Sequence, residues 1–273
     1  MRTAVVGHVE WVDFARVERV PLAGEIVQAS ESWAEAAGGG GVASVRLTRL
    51  AGGCTLFTAL GRDDLGERAL AELAGLGVRV EARRHDEPQR RGFTFVDARG
   101  ERTITILGEK HAPRGTDPLP WEELAETDGV YFVSGDAEAA RAARRARVLV
   151  ATARSLPVLQ EAGVELDALV RSAHDPSERY GRGDLEPQPK LVVATSGREG
   201  GTWGTSDCRA GAYAAPAPPG PVSDAYGAGD SFAAGLTFAL ARGDDVEAAV
   251  AFAAECAAAA LTRRGAHGTE PAR

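Results

Sequence analysis

Apolar positions in this chain come in short runs that alternate with stretches of helical spacing. Residues 2–7, with Ala4, Val5 and Val6 together, read as a buried first strand. Val42, Val45, Leu47 and Leu50 then fall at helical spacing within residues 42–51. A second strand runs from Cys54 to Leu60 and stops at Gly61-Arg62-Asp63-Asp64, and a helix from about Leu65 to Leu76 closes on Gly77. The rhythm returns with a strand at 130–133 ending in Ser134-Gly135-Asp136, a helix over 136–147, a strand at 148–151 and a strongly apolar strand at 191–195. Two helices, about 228–242 and 245–262, finish the chain. Strand and helix in alternation predict a mostly parallel sheet with crossover helices.

Residues 92–107 break that rhythm. Phe93-Thr94-Phe95-Val96, a polar turn at Asp97-Ala98-Arg99-Gly100, and Thr103-Ile104-Thr105-Ile106 read as a β-hairpin. Together with the strand-like Glu25-Ile26-Val27 it predicts a small second sheet, the natural lid over a ligand. Residues 214–222, with four prolines and one glycine, form a loop too short to separate domains. No internal repeat is visible, so the expectation is one α/β unit over 1–273 with lid segments at about 13–36 and 90–108.

Composition narrows the function classes. Hydrophobic residues make up 44% of the chain, enough for a sizeable core, and the net charge of −8 argues against a nonspecific nucleic-acid or membrane-surface binder. Cys54, Cys208 and Cys256 share no metal-ligand or redox spacing. Reduced thiols, no signal layout and no membrane-length apolar run fit a cytoplasmic location. The histidines show no paired metal spacing, and no Gly-x-Ser-x-Gly elbow supports a hydrolase.

The most informative segment is Asp224-Ala225-Tyr226-Gly227-Ala228-Gly229-Asp230-Ser231-Phe232. Phe232, Leu236 and Leu240 lie on one face of the helix that follows, so Gly227, Ala228 and Gly229 sit at its N-terminus. There, free backbone N–H groups and the positive dipole end attract anions, and small residues let a phosphate approach. Asp230 falls in the first turn beside that site, where a carboxylate can accept a proton from an attacking hydroxyl. The same residues also fit a plain acidic first turn that only suits the helix dipole.

Asp-x-x-Gly-Ala-Gly-Asp-Ser-Phe resembles the C-terminal signature of the ribokinase family, the PfkB carbohydrate kinases, with Ala225 where that signature usually has Thr. The resemblance spans nearly the whole chain. Pro21-Leu22-Ala23-Gly24-Glu25 resembles the lid entry, and residues 38–66 resemble the N-terminal signature through Gly61-Arg62-Asp63-Asp64-Leu65-Gly66. Thr195-Ser196-Gly197-Arg198-Glu199-Gly200-Gly201 looks like the nucleotide loop, and the last helix with Arg263-Arg264-Gly265-Ala266 like the segment flanking the adenine pocket.

The resemblance implies a three-layer α/β/α fold with a β lid. It implies transfer of the γ-phosphate of ATP to a hydroxyl of a sugar or nucleoside-like molecule. Asp230 is then the base, and the backbone of Gly227, Ala228 and Gly229 the anion hole. Asp13 with Gly39, Gly40 and Gly41 would hold substrate; Thr195, Gly197, Gly200 and Ala257 would hold the nucleotide. ATP and Mg²⁺ are the implied cofactors, a monovalent cation is a further candidate, and a homodimer through the lid is a family habit. No nucleic-acid or membrane partner is implied.

Two departures stand out. Alignment on Leu50 puts Val42 where the family often has a sugar-binding Asn, and valine cannot hydrogen-bond a hydroxyl. Gly39–Gly41 would then widen the pocket. The family's Asn-x-x-Glu, which organises magnesium, has its nearest equivalent in Ser172-Ala173-His174-Asp175, so Asp175 would serve through water, with Glu178 as alternative. These changes motivate a rival, a catalytically weak sugar- or nucleotide-binding protein of the same fold. A second rival is an NAD-dependent oxidoreductase, because Gly38-Gly39-Gly40-Gly41-Val42-Ala43 fits Gly-x-Gly-x-x-Ala, but no apolar strand is expected to run into those glycines.

Overall fold

A computed structural model of the chain describes residues 1–268, so the last five residues of the expected 1–273 unit lie outside the description. In chain order the elements are β1 (Thr3–Val6), β2 (Glu10–Arg16), β3 (Glu31–Ala37), α1 (Gly38–Ala51), β4 (Cys54–Gly61), α2 (Asp64–Gly75), β5 (Val78–His85), β6 (Arg91–Val96) and β7 (Arg102–Leu107). There follow β8 (Gly129–Phe132), α3 (Ala137–Ala143), β9 (Val148–Thr152), α4 (Leu156–Ala162), β10 (Ala168–Ser172), β11 (Leu191–Thr195), β12 (Gly201–Thr205), β13 (Ala210–Tyr213), α5 (Ala228–Arg242) and α6 (Val246–Ala260).

Nine strands form one sheet in the order β13-β12-β11-β10-β9-β8-β1-β4-β5. All neighbours from β5 to β11 are parallel, and only β12 runs against its neighbours. β1, β8 and β9 are buried at every position, as strands covered on both faces must be. One face packs Val5, Leu56, Tyr131 and Val150 against α1, α2, α5 and α6 through Val45, Leu73, Phe232 and Ala249. The other face packs Val6, Phe57, Phe132 and Leu149 against α3 and α4 through Ala140 and Leu159. The three layers and the mostly parallel sheet are those expected from the alternating pattern.

A four-stranded sheet, β3-β2-β6-β7, stands apart from the main one. The hairpin expected at 92–107 is β6 and β7. Glu25-Ile26-Val27 is not a strand; it lies in the loop between β2 and β3. β2 and β3 were not legible as strands because Glu31-Ser32-Trp33-Ala34-Glu35-Ala36-Ala37 is Ala- and Glu-rich, a composition that favours helix. Continuous pairing from Glu10↔Ala37 to Arg16↔Glu31 overrides that preference. A strand does run directly into the glycines of α1, but it is Ala- and Glu-rich and half-exposed over its first four residues, not the apolar strand of a dinucleotide fingerprint. β3 belongs to the small sheet and the following β4 to the large one, so the unit is still not a βαβ crossover. Among the described residues no helix is long and apolar enough to cross a membrane.

Candidate active site

The chain leaves β1 for the small sheet, and β1's neighbours β4 and β8 lie on opposite sides of it. This reversal of strand order opens a crevice at the carboxyl ends of β1 and β8, the usual ligand position in an open parallel sheet. His8 Nδ1, just past β1, lies 3.0 Å from Ser134 Oγ, just past β8. Two helices begin over this crevice, α1 at Gly38 and α5 at Ala228. A Cβ on Gly40 would come 2.6 Å from the His8 carbonyl oxygen, so α1 seats directly on the turn after β1. A Cβ on Gly41 would point the other way, toward Leu73 at 3.9 Å, and not into the opening.

Helices α2, α3 and α6 are capped by Asp63, Asp136 and Asp245, whereas α1 and α5 have no side-chain cap. In α1 Gly38 N–H donates to the Tyr226 hydroxyl at 3.4 Å and Gly40 N–H to the His8 carbonyl at 3.0 Å, so the N–H groups open to an anion are chiefly those of α5. In α5 the first intrahelical bond runs from Ser231 N to Gly227 O at 2.8 Å, and the N–H groups of Gly229 and Asp230 stand before it. Gly227 adopts φ of 70°, a left-handed conformation that favours glycine. Asp224 holds the loop in place by accepting from Tyr226 N at 2.9 Å and Gly265 N at 2.6 Å. Val42 is buried beneath this turn: a Cβ on Gly227 would lie 2.8 Å from its Cγ1. The side chain at position 42 therefore packs Gly227 from below rather than lining the substrate opening.

Burial pushes the Asp230 carboxyl up to about 6; Arg154 and Arg102 oppose the rise, and Glu178 and Glu10 add to it. Burial drives the neighbouring His8 down to about 3, aided by Lys110, Arg90 and Arg154. Burial and then Arg90 and Arg154 lower Lys110, against the pull of Glu10. Arg90 is paired with Glu10 at 2.9 Å, and Arg102 donates to the Ala225 carbonyl at 2.9 Å. Arg154 lies between Asp175 at 2.5 Å and Glu178 at 2.7 Å. Lys110 alone of these four cations has neither a carboxylate partner nor a backbone acceptor among the described residues.

Asp13 is not brought to Asp230. Side chains alternate along a strand, and Val12 and Phe14 cluster with Val42 and Tyr226, so Asp13 faces the opposite side of the small sheet. There it pairs with Arg91 at 2.9 Å. Glu10 shares the face of Val12 and acts on Asp230. Asp175 spends Oδ1 on Ser177 N and Oγ and Oδ2 on Arg154, which leaves Glu178 as the carboxylate whose charge reaches Asp230. Glu178 is fixed by Ser172 N–H, which donates to its Oε2 at 2.5 Å.

Thr195 ends β11, and the loop after it turns at Gly197 and at Gly200, where a Cβ would meet the Tyr213 carbonyl at 2.0 Å. Arg198 in this loop reaches Glu101 at 3.6 Å, and Gly100 accepts from Ala225 N at 3.0 Å. The β6–β7 turn is thus tied both to the Thr195–Gly201 loop and to the loop before Asp230. Ala257 lies in α6, half-buried against the core. A separate cleft of about 780 Å³, lined by Arg2, Thr3, Gly53, Thr55, Arg79 and Glu123, opens at the amino ends of the strands, the end opposite Asp230. Glu10, Arg90, Arg102, Lys110 and Arg154 were not singled out from sequence. For Glu10 and Arg154 a signal existed, since each follows the carboxyl end of a parallel strand.

The family model described as pfkB family carbohydrate kinase matches residues 2–160 and 164–273. An ATP-dependent ribose-1-phosphate kinase of Halopiger xanaduensis is 29% identical over 290 aligned positions, covering 97% of this chain and 94% of that protein. The ribokinase of Thermotoga maritima superposes with a TM-score of 0.74 at 22% identity, over 99% of this chain and 96% of that one. The ribokinase of Arabidopsis thaliana, in complex with ribose and ATP, gives 0.73 at 19% identity, over 96% and 93% of the two chains. These structural likenesses establish the fold.

Proposed function

This chain belongs to the PfkB family of carbohydrate kinases, phosphotransferases with an alcohol acceptor, and we propose that it moves the γ-phosphoryl group of ATP onto a hydroxyl of a pentose phosphate, with Asp230 as the general base. The observation that carries this reading is the placement of Asp230 between two uncapped helix N-termini at the carboxyl end of the sheet. A carboxylate there takes the acceptor's proton. The N–H groups of Gly229 and Asp230 stabilise charge on the phosphoryl group in flight, and Gly227 and Ala228 set the turn that presents them.

The Thr195–Gly201 loop and the α6 segment that contains Ala257 would hold ATP. Mg²⁺, when bound with the nucleotide, would neutralise charge on the phosphate oxygens, and Glu178, the carboxylate of this pair whose charge reaches Asp230, would help hold it through water. Arg154 and Arg102 add positive charge beside the transferring group.

Two facts support a phosphorylated acceptor. Lys110 lacks a carboxylate partner and stands with Arg90 on the His8 side of the site. The Halopiger relative, similar over nearly the whole chain, is a ribose-1-phosphate kinase. Glu10, which acts on Asp230, would contact the sugar hydroxyls in place of Asp13, which pairs with Arg91 on the other face of the small sheet.

Turnover of Mg-ATP with ribose-1-phosphate, ribose and a set of nucleosides tests the reading. Ribose-1-phosphate is expected to give the highest kcat/KM, and Asp230→Ala to lower kcat by roughly 10²–10⁴. Tight binding of an acceptor without ATP turnover would leave a binding protein of the same fold instead.

A further inference from the structure

Outside the Asp230 site, one cluster of side chains is buried with unmet chemistry. Glu35 at the end of β3 and His267 in the C-terminal turn are 3% and 1% exposed, and Glu72 of α2 is half-buried beside them. One donor atom from each lies within 4.8 Å of the other two. His267 Nε2 lies 2.5 Å from the Ala36 carbonyl oxygen. A carbonyl only accepts, so Nε2 carries the proton and Nδ1 of the neutral ring presents a lone pair. That Nδ1 is buried with no partner. Glu35 Oε1 accepts from Ala266 N at 2.7 Å and Trp33 Nε1 at 3.1 Å, while Oε2 is likewise buried with no partner. Acceptor atoms converge here with no donor between them, and leaving such atoms unpaired is costly.

We propose that Glu35, Glu72 and His267 bind a divalent transition cation of the Zn²⁺ class. The donor set, one imidazole and two carboxylates, suits Zn²⁺ better than the oxygen-seeking Mg²⁺ that accompanies ATP. The Ala36 carbonyl that holds the far ring nitrogen is the outer-shell partner a metal-bound histidine normally has. Donors around Zn²⁺ stand about 3.4 Å apart, given bonds of about 2.0–2.2 Å, so atoms within 4.8 Å of one another need close by no more than roughly 1.4 Å. Burial also pushes Glu35 up to about 7 and His267 down to about 4.

The site has a structural consequence. A Cβ on Gly265 would lie 1.8 Å from Glu35 Oε1, so the turn rests directly on Glu35. Gly265 N–H donates to Asp224, which also fixes Tyr226 at the start of the loop leading to Asp230. A cation joining β3, α2 and this turn therefore braces the anion-hole loop from behind.

Protein stripped with EDTA and titrated with Zn²⁺ by calorimetry is expected to take up one equivalent, with a rise in thermal midpoint. His267→Gln and Glu72→Gln are each expected to weaken that binding by ~10–100-fold. Glu72 is partly exposed, so its variant remains informative should His267→Gln fold poorly. Co²⁺ should give a visible absorption band in the wild type that His267→Gln loses. Equal Zn²⁺ affinity in the wild type and both variants, no binding at all, or a midpoint that responds to pH near 7 and not to Zn²⁺ would each overturn the assignment. None of these readouts depends on kinase turnover, so they stand apart from the acceptor assignment.

Discussion

Gly39 and Asp230 meet across the opening between two helices: a Cβ on Gly39 would stand 3.0 Å from Asp230 Oδ1 and 2.7 Å from Val133 Cγ1. The glycine is what lets the N-terminus of α1 come within reach of the carboxylate on α5. Gly39→Ala forces either Asp230 or Val133 to shift, and a displacement near 1 Å at a reacting group can cost about 10²-fold in rate. The expected result is a kcat reduced by ~10–100-fold. Gly41→Ala, whose added methyl meets nothing closer than 3.9 Å, is expected to stay within about twofold of the wild type. Steady-state kinetics of the two variants side by side check this.

The raised carboxyl of Asp230 has two consequences of opposite sign. As a base it must be ionised, so kcat should rise with pH through about 6. For stability, a carboxyl whose folded value lies above the unfolded value of about 3.9 favours the fold when protonated. That contribution is full below about pH 3.9 and is lost as pH rises through about 6. Asp230→Asn should therefore abolish most turnover and yet be more stable than the wild type at pH 7.5, by about 1–2 kcal/mol after allowing for partial exposure. Denaturant melts at pH 4 and pH 7.5 test the sign; a gain at pH 4 equal to that at pH 7.5 would contradict it.

Much of this architecture was legible because it is written in local patterns. The all-apolar strands β1, β8 and β9 and the turn residues between elements gave the parallel sheet. The Gly227–Asp230 motif gave a helix start with small residues and a carboxylate in its first turn, and the structure has that helix begin without a side-chain cap. The lid was harder. β3 carries a helix-like composition, and its strand state exists only through pairing with β2. Missing β2 also hid which way Asp13 points: on a strand, neighbours 10, 12 and 14 share one face and Asp13 takes the other. Val42 misled for a related reason, because an aligned position does not say which way its side chain points.

That correction is testable with two substitutions on one strand. Glu10 lies on the Asp230 side, paired with Arg90 and buried, while Asp13 pairs with Arg91 on the far face. Glu10→Gln should raise the KM for the acceptor by ~10-fold or more, because the buried polar contact and the Arg90 pair are lost together. Asp13→Asn, at an exposed pair worth about 0–1 kcal/mol, should leave KM and kcat within about threefold. The reverse ranking would restore Asp13 as the sugar-binding residue.

Lys110 offers the sharpest discrimination between acceptors. Lys110 is an exposed residue whose ammonium pKa is lowered by partial desolvation and by repulsion from Arg90 and Arg154, and it has no carboxylate within ion-pair distance among the described residues. Positive charge held together in this way gains from an incoming anion and gains nothing from a neutral sugar. Lys110→Met keeps much of the apolar stem and removes the charge. Its expected effect is a rise in KM for ribose-1-phosphate of ~10–100-fold, the loss of one partly desolvated charge-assisted contact of about 1.5–3 kcal/mol. With ribose itself as acceptor, the KM should change by less than about twofold. KM for ATP should also hold, because the charge of Lys110 acts on His8, past the end of β1. Equal losses with ribose and ribose-1-phosphate would show that Lys110 serves the fold or the nucleotide rather than an acceptor phosphate.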